Sequence, residues 1–259
     1  MLTNKITQVF AFEKTGQAEK YKHTIDNVLV KIESYLKILE QEYNLIDYPR
    51  AIVWTSKELA TTVFSNIPIP AYTNERFICI SPEISTWKKI YKDLHKGVDN
   101  KNVASYHNNI TTSLITQLLG HEFTHHIDLF IDDFDDVRHN GIWFEEGMCE
   151  YLSRKYLLTD EEFRYISQIE WGYIMYYKNI FKNSSIEKFG MGSYSNSMEK
   201  IMYEYYRSFY IVKKLVEVVG NDNPKKIFEL YKNWDLEGRK TTLSEYFNIN
   251  ILLEEIFNY

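Results

Sequence analysis

The sequence predicts an α+β protein, with a small mixed sheet and helices in its first half and mostly helix in its second. Three observations lead there. Apolar residues recur at helical spacing over long stretches. The two runs that read as strands both fall before residue 82. Glycine and proline, which interrupt helices, number only 10 and 5 in 259 residues.

From Gln17 to Glu42 the apolar positions Ile25, Val28, Leu29, Ile32, Leu36 and Leu39 fall on one helical face, so this stretch is a long amphipathic helix. RAIVWTS (50–56) reads as a strand. KELATTVFSN (57–66) is a short helix, broken by IPIPAYT. RFICIS (76–81) is a second strand, stopped by Pro82; it is either a sheet edge that pairs with an extended peptide or a buried interior strand. The segment 108–131 is the next long helix, capped by Asn108 or Asn109 with Thr and Ser in its first turn. DLFIDDFDDVRHNG then forms an acidic loop, and IWFEEGMCEYLSRKYL (142–157) another helix. From about 160 onward the chain is helical with Tyr-rich faces; NPKKIFELYKNW and ILLEEIF are its clearest later pieces. No repeat or linker divides it. We expect one domain over 1–259, with an α/β lobe at 1–131 and a helical lobe at 132–259.

The net charge of -6 offers no electrostatic case for nucleic acid. Cys79 and Cys149 are too few for a disulfide framework and fit a reducing compartment. The first twenty residues lack the apolar core of a signal peptide, and no window is apolar enough to span a membrane. The expectation is a cytoplasmic protein, a mature secreted form being the alternative.

The chemistry concentrates in LLGHEFTHHID (118–128), which contains HExxH as His121, Glu122 and His125. Residues four apart share a helix face, so the two imidazoles can hold one Zn²⁺ at about 2.0–2.1 Å each. Glu122, one step round, is placed to take the proton of a zinc-activated water. The apolar run Leu114, Ile115, Leu118 and Leu119 puts the motif on a buried helix, where His and Glu need a partner or a metal. His126 lies about 100° round from His125 and reads as a bystander.

A third ligand must come from elsewhere. The metzincin continuation fails, since Asp128 and Ile131 stand where Gly and His belong. His139 is one candidate and WFEEGMCEY (143–151) the better one. There the sequence resembles the gluzincin metallopeptidases, which include thermolysin, leukotriene-hydrolase-type aminopeptidases and bacterial collagenases. The resemblance implies a thermolysin-like zincin fold, a Zn²⁺ cofactor and a peptide or protein substrate, with Glu146 as the third ligand. It makes Glu150, one turn on, the acid that hydrogen-bonds a ligating histidine. Glu145 and Cys149 are the neighbouring alternatives to Glu146. The order of elements resembles that group over nearly the whole chain.

In the aminopeptidase branch a Y-x-x-(G/S)-(F/Y) tyrosine stabilises the oxyanion; Tyr205, with Ser208 and Phe209, matches it, amid Tyr203, Tyr206 and Tyr210 as packing alternatives. The G-x-M-E-N run that anchors a free amine is missing upstream, and SMEK (197–200) lies downstream. That favours an endopeptidase over an aminopeptidase. The alternative is a catalytically inactive zinc-binding protein of the same fold. DDFDD (132–136) reads as a solvated loop or a Ca²⁺ site.

Overall fold

The structure, a computed structural model, describes residues 2–94, 105–106, 108–134, 136, 140–182 and 184–249. Among them, strands β1 (Thr7–Ala11), β2 (Ala51–Thr55), β3 (Ala71–Thr73) and β4 (Phe77–Ile80) form one mixed sheet in the order β1-β2-β4-β3. β1 with β2 and β2 with β4 run parallel; β3 runs antiparallel to β4. Ile52, Trp54, Ile78, Cys79 and Ile80 are wholly buried, as interior strands covered on both faces require. RFICIS is therefore not the sheet edge: β3, three residues of the segment expected only to break a helix, pairs with β4 and takes that place. β1 was also not foreseen. It is an edge strand that exposes Val9 and Phe10, so it lacks the apolar signature of an interior strand.

The chain divides into two compact units, Met1–Asp128 with Leu152–Tyr165, and Leu129–Tyr151 with Ile166–Tyr259. The first holds the sheet. After a 3-10 turn at Gln17–Tyr21 comes α1 (Lys22–Glu42), which buries Ile25, Val28, Ile32, Leu36 and Leu39 and leaves Val30 to solvent. One-turn helix α2 (Lys57–Leu59), capped by Ser56, runs into a π-type turn at Ala60–Phe64. α3 (Ile84–Leu94) follows the sheet and was not foreseen.

Next comes α4 (Thr112–Thr124), packed on α1, β3 and β4. It is shorter at both ends than 108–131. Its cap is Thr111, whose side chain accepts from the Ser113 N–H; Asn109 instead closes a preceding turn, its N–H donating to the carbonyls of Ser105 and Tyr106. At the far end the Asp128 N–H goes to the Asn44 carbonyl at 3.0 Å, which draws the chain out of the helix.

α5 (Ile142–Leu157) has the predicted span. It is continuous, and the unit boundary falls within it, between Tyr151 and Leu152. The second unit adds α6 (Asp160–Lys178, from Ile166), α7 (Met198–Lys214), α8 (Pro224–Leu236) and α9 (Leu243–Tyr246). Its core is aromatic. Phe144 of α5 packs on Tyr231 at 4.4 Å and on Phe228 and Phe247 at 5.9 Å, and Tyr206 stacks on Tyr173 at 5.4 Å. ILLEEIF lies outside the described residues. No described helix is long and apolar enough to cross a membrane.

Cys79 on β4 and Tyr72 on β3 are cross-strand partners. Burial, partly offset by the Tyr72 hydroxyl and reinforced by the Glu122 charge, pushes the Cys79 thiol up to about 11 from 9.0. A raised thiol pKa contributes stability in full below the unfolded value and loses it as pH rises through the folded one. The destabilisation caused by Cys79→Ala should therefore shrink by about 2 kcal/mol between pH 8 and pH 11, measured by urea unfolding of variant and wild type at both pH values. A difference independent of pH would contradict the assignment.

Candidate functional site

In the first unit, α4 carries the HExxH residues on its inner side. His121 and Glu122 are 5% and 6% exposed, and His125, at the helix end, is half-buried. The Nε2 atoms of His121 and His125 lie 3.2 Å apart, with the rings at 67°. Two arrangements satisfy that distance: one ring donating its Nε2–H to the other's bare nitrogen, or both bare nitrogens on one cation. Ligands 2.0–2.1 Å from a tetrahedral metal ion are about 3.3 Å apart, so the distance suits one shared metal ion as well as it suits the hydrogen bond.

The surrounding contacts hold the helix in register. Thr124 donates to the Gly120 carbonyl at 2.7 Å, and its hydroxyl meets the Tyr35 hydroxyl at 2.6 Å. Gln117 donates to Ser153 at 3.4 Å. Gly120, just before His121, permits a close approach: a Cβ there would sit 2.5 Å from a Leu157 methyl and 3.3 Å from the Tyr35 ring.

His126 turns to the sheet edge, its Nε2 2.8 Å from the Thr73 hydroxyl of β3. That hydroxyl also points at the Asn74 and Phe77 carbonyls, each at 3.2 Å. The network closes when His126 Nε2–H donates to Thr73, which donates onward. Burial, then the neighbouring His125, pushes the His126 pKa down to about 3, so the ring is neutral. His126 thus ties the turn after α4 to β3; it lies past the helix end, not on the helix face expected for it.

In the second unit, Glu146 of α5 is 7% exposed, and Glu145 and Glu150 are buried as well. Tyr205 of α7 donates to Glu146 Oε1 at 3.2 Å. Of the four clustered tyrosines it is the one on the carboxylate: Tyr203 packs on Phe181, Tyr206 on Tyr173 and Tyr210 on Trp171. Its neighbour Glu204 is buried and bonded within the helix to Arg207 at 3.0 Å and to Lys200; the bond from Ser184 at 2.6 Å, from outside the helix, holds the rotation of α7. A second phenol, Tyr194, lies 2.7 Å from the Tyr205 hydroxyl and 3.4 Å from Glu146 Oε1. Sequence reasoning missed it, because Tyr194 sits in a 3-10 turn, Met191–Ser195, with no periodicity or motif to mark it.

Cys149 is buried, in no disulfide, three residues after Glu146. In the acidic segment, Asp132 is held by Arg239 at 2.6 and 3.3 Å, so one carboxylate of the calcium alternative is already engaged by a guanidinium. Asp135 and His139 lie outside the described residues.

No protein-family model, curated protein or solved structure matches this chain.

Gly147, next to Glu146, is packed against α7: a Cβ there would lie 2.5 Å from the Ser208 carbonyl oxygen and 2.6 Å from a Val212 methyl. Helix propensity alone favours Gly→Ala by about 1 kcal/mol. Here the overlap is with backbone, so overpacking at about 1–3 kcal/mol prevails. Gly147→Ala should lower unfolding stability in a denaturant titration, and a variant as stable as wild type would show that the α5–α7 spacing has room.

Proposed function

We propose that this protein is a zinc-dependent metallopeptidase of the gluzincin kind, with a thermolysin-like arrangement of its elements, acting on internal peptide bonds. The observation that carries the proposal is the approach of the His121 and His125 Nε2 atoms to 3.2 Å on the inner side of a buried helix that also carries Glu122. In support stand the buried carboxylate of Glu146, which accepts the Tyr205 hydroxyl, and the absence of an amine-anchoring run upstream of HExxH.

In this proposal the ligand set is the one the sequence resemblance implies: His121, His125 and Glu146 would hold the zinc, which when bound would acidify water and polarise the scissile carbonyl. Glu122 accepts the proton of the attacking water and delivers it to the leaving nitrogen. Tyr205 donates to the oxyanion as charge develops there. Glu150 accepts from a ligating imidazole and fixes its tautomer. The free edge of β3 receives the substrate as an added strand. Two buried cysteines outside any disulfide accord with action in the cytoplasm.

Glu122→Gln keeps the shape of the side chain and removes its basicity. Zinc content should be unchanged, and hydrolysis of a peptide library should fall by a factor of about 10²–10⁴. Equal turnover by variant and wild type would overturn Glu122 as the base, and no turnover by either would leave the protein a zinc-binding module.

Cys149, one turn from Glu146, is the rival third donor. Glu146→Ala should weaken zinc binding by orders of magnitude, read against a chromophoric chelator, while Cys149→Ser changes it little. The reverse ranking would move the third ligand to the thiolate.

A further inference from the structure

We propose that Tyr194 is a positioning residue of this site, acting through Tyr205 on the Glu146 carboxylate. The inference rests on the zinc assignment above and deepens it.

The three groups form one hydrogen-bonded cluster within the second unit. The Tyr194 and Tyr205 hydroxyls are 2.7 Å apart, and Glu146 Oε1 lies 3.2 Å from Tyr205 and 3.4 Å from Tyr194. Two phenolic protons serve this cluster. The short phenol–phenol distance and the nearer approach of Tyr205 to the carboxylate set the order: Tyr194 donates to Tyr205, which donates to Glu146. A phenol that accepts one hydrogen bond becomes a stronger donor in the next. Tyr194 therefore strengthens the hold of Tyr205 on Glu146. When Tyr205 turns its one proton from Glu146 to a substrate oxyanion, the bond from Tyr194 strengthens that donation too.

The fold is built to present Tyr194. Its 3-10 turn is closed by Ser193 N–H to the Gly190 carbonyl at 2.7 Å, Gly190 N–H to Ser193 Oγ at 3.1 Å, and the Asn196 amide to the Ser193 carbonyl at 2.9 Å. Ser193 is buried at the base of the turn, while Tyr194 itself is half-buried. The Tyr205 ring is set from the other side by the edge of Phe189, 5.1 Å away at 75°. Tyr205 is also half-buried, so the pair meets solvent on one side and the ligand carboxylate on the other.

The test is a double-mutant cycle with two readouts. Zinc affinity, by competition with a chromophoric chelator, should fall about tenfold in Tyr205→Phe and several-fold in Tyr194→Phe. The double variant should lose less than the product of the two single losses, because Tyr194 acts chiefly through Tyr205. On a peptide substrate Tyr194→Phe should lower kcat by roughly tenfold with KM unchanged, a split that a merely loosened turn would not produce. Tyr194→Leu, a second variant without a donor, covers the case in which the Phe variant loses its circular dichroism signature; it should show the same kcat-only loss.

Wild-type zinc affinity and kcat in a folded Tyr194 variant, or losses that multiply in the double variant, overturn the proposal. If the wild type binds zinc and cleaves peptide while Tyr194→Phe is unchanged, this inference alone fails. If the wild type binds no zinc, the zinc assignment fails and this inference falls with it.

Discussion

Burying a polar helix face is the constraint on which the first unit depends. α4 sinks Gln117, His121, Glu122 and Thr124 into the interior, and a buried polar group left without a partner costs about 1–3 kcal/mol. The elements around it answer that demand at Gln117 and Thr124 and tie down the turn that follows. α1 offers the Tyr35 hydroxyl to Thr124, and the last turns of α5 offer Ser153 to Gln117. The edge strand offers Thr73 to His126, and the turn after α1 takes the Asp128 N–H and side chain through Asn44. Gly120 lets α1 and α5 come close enough for these contacts to be made. The same packing that satisfies the helix thus fixes the rotation that brings two imidazole nitrogens together.

The second unit meets the same constraint with aromatic means. Glu146 is a carboxylate in a region rich in Tyr, Phe and Trp, and phenols answer it, because a phenol fills apolar space with its ring and presents a hydroxyl at its tip. The run YEYYRSFY puts four tyrosines on one helix. Which of them meets Glu146 follows from the rotation of α7, set by the bonds of Glu204 and Arg207 to Ser184 and by the contact of Gly147 with the Ser208 backbone. Tyr203 and Tyr206 then have no course but the aromatic core.

Much of the fold was legible where its cause is local. The α+β class, the α1 face of Ile25 to Leu39 and the whole span of α5 follow from periodicity, since a helix closes its hydrogen bonds within its own segment. β1 and β3 were not legible. A strand is defined by its partner, and five half-exposed residues or three beside a proline carry no mark of the neighbour they pair with. The ends of α4 were misplaced for a related reason: Asn109 is a good cap that serves another turn, and the helix is ended by a hydrogen bond to Asn44, far away in sequence.

The sequence by itself determined that His121 and His125 share a helix face with Glu122 beside them, because the i, i+4 relation depends only on the helical repeat. It also put Glu146 and Glu150 one turn apart. Only the tertiary structure decided that β3, and not RFICIS, is the free edge, that Tyr205 is the phenol on Glu146, that Tyr194 completes the pair, and that Asp132 is spent on Arg239. These are contacts between segments far apart along the chain. They depend on helix rotation and strand order, which no local pattern encodes.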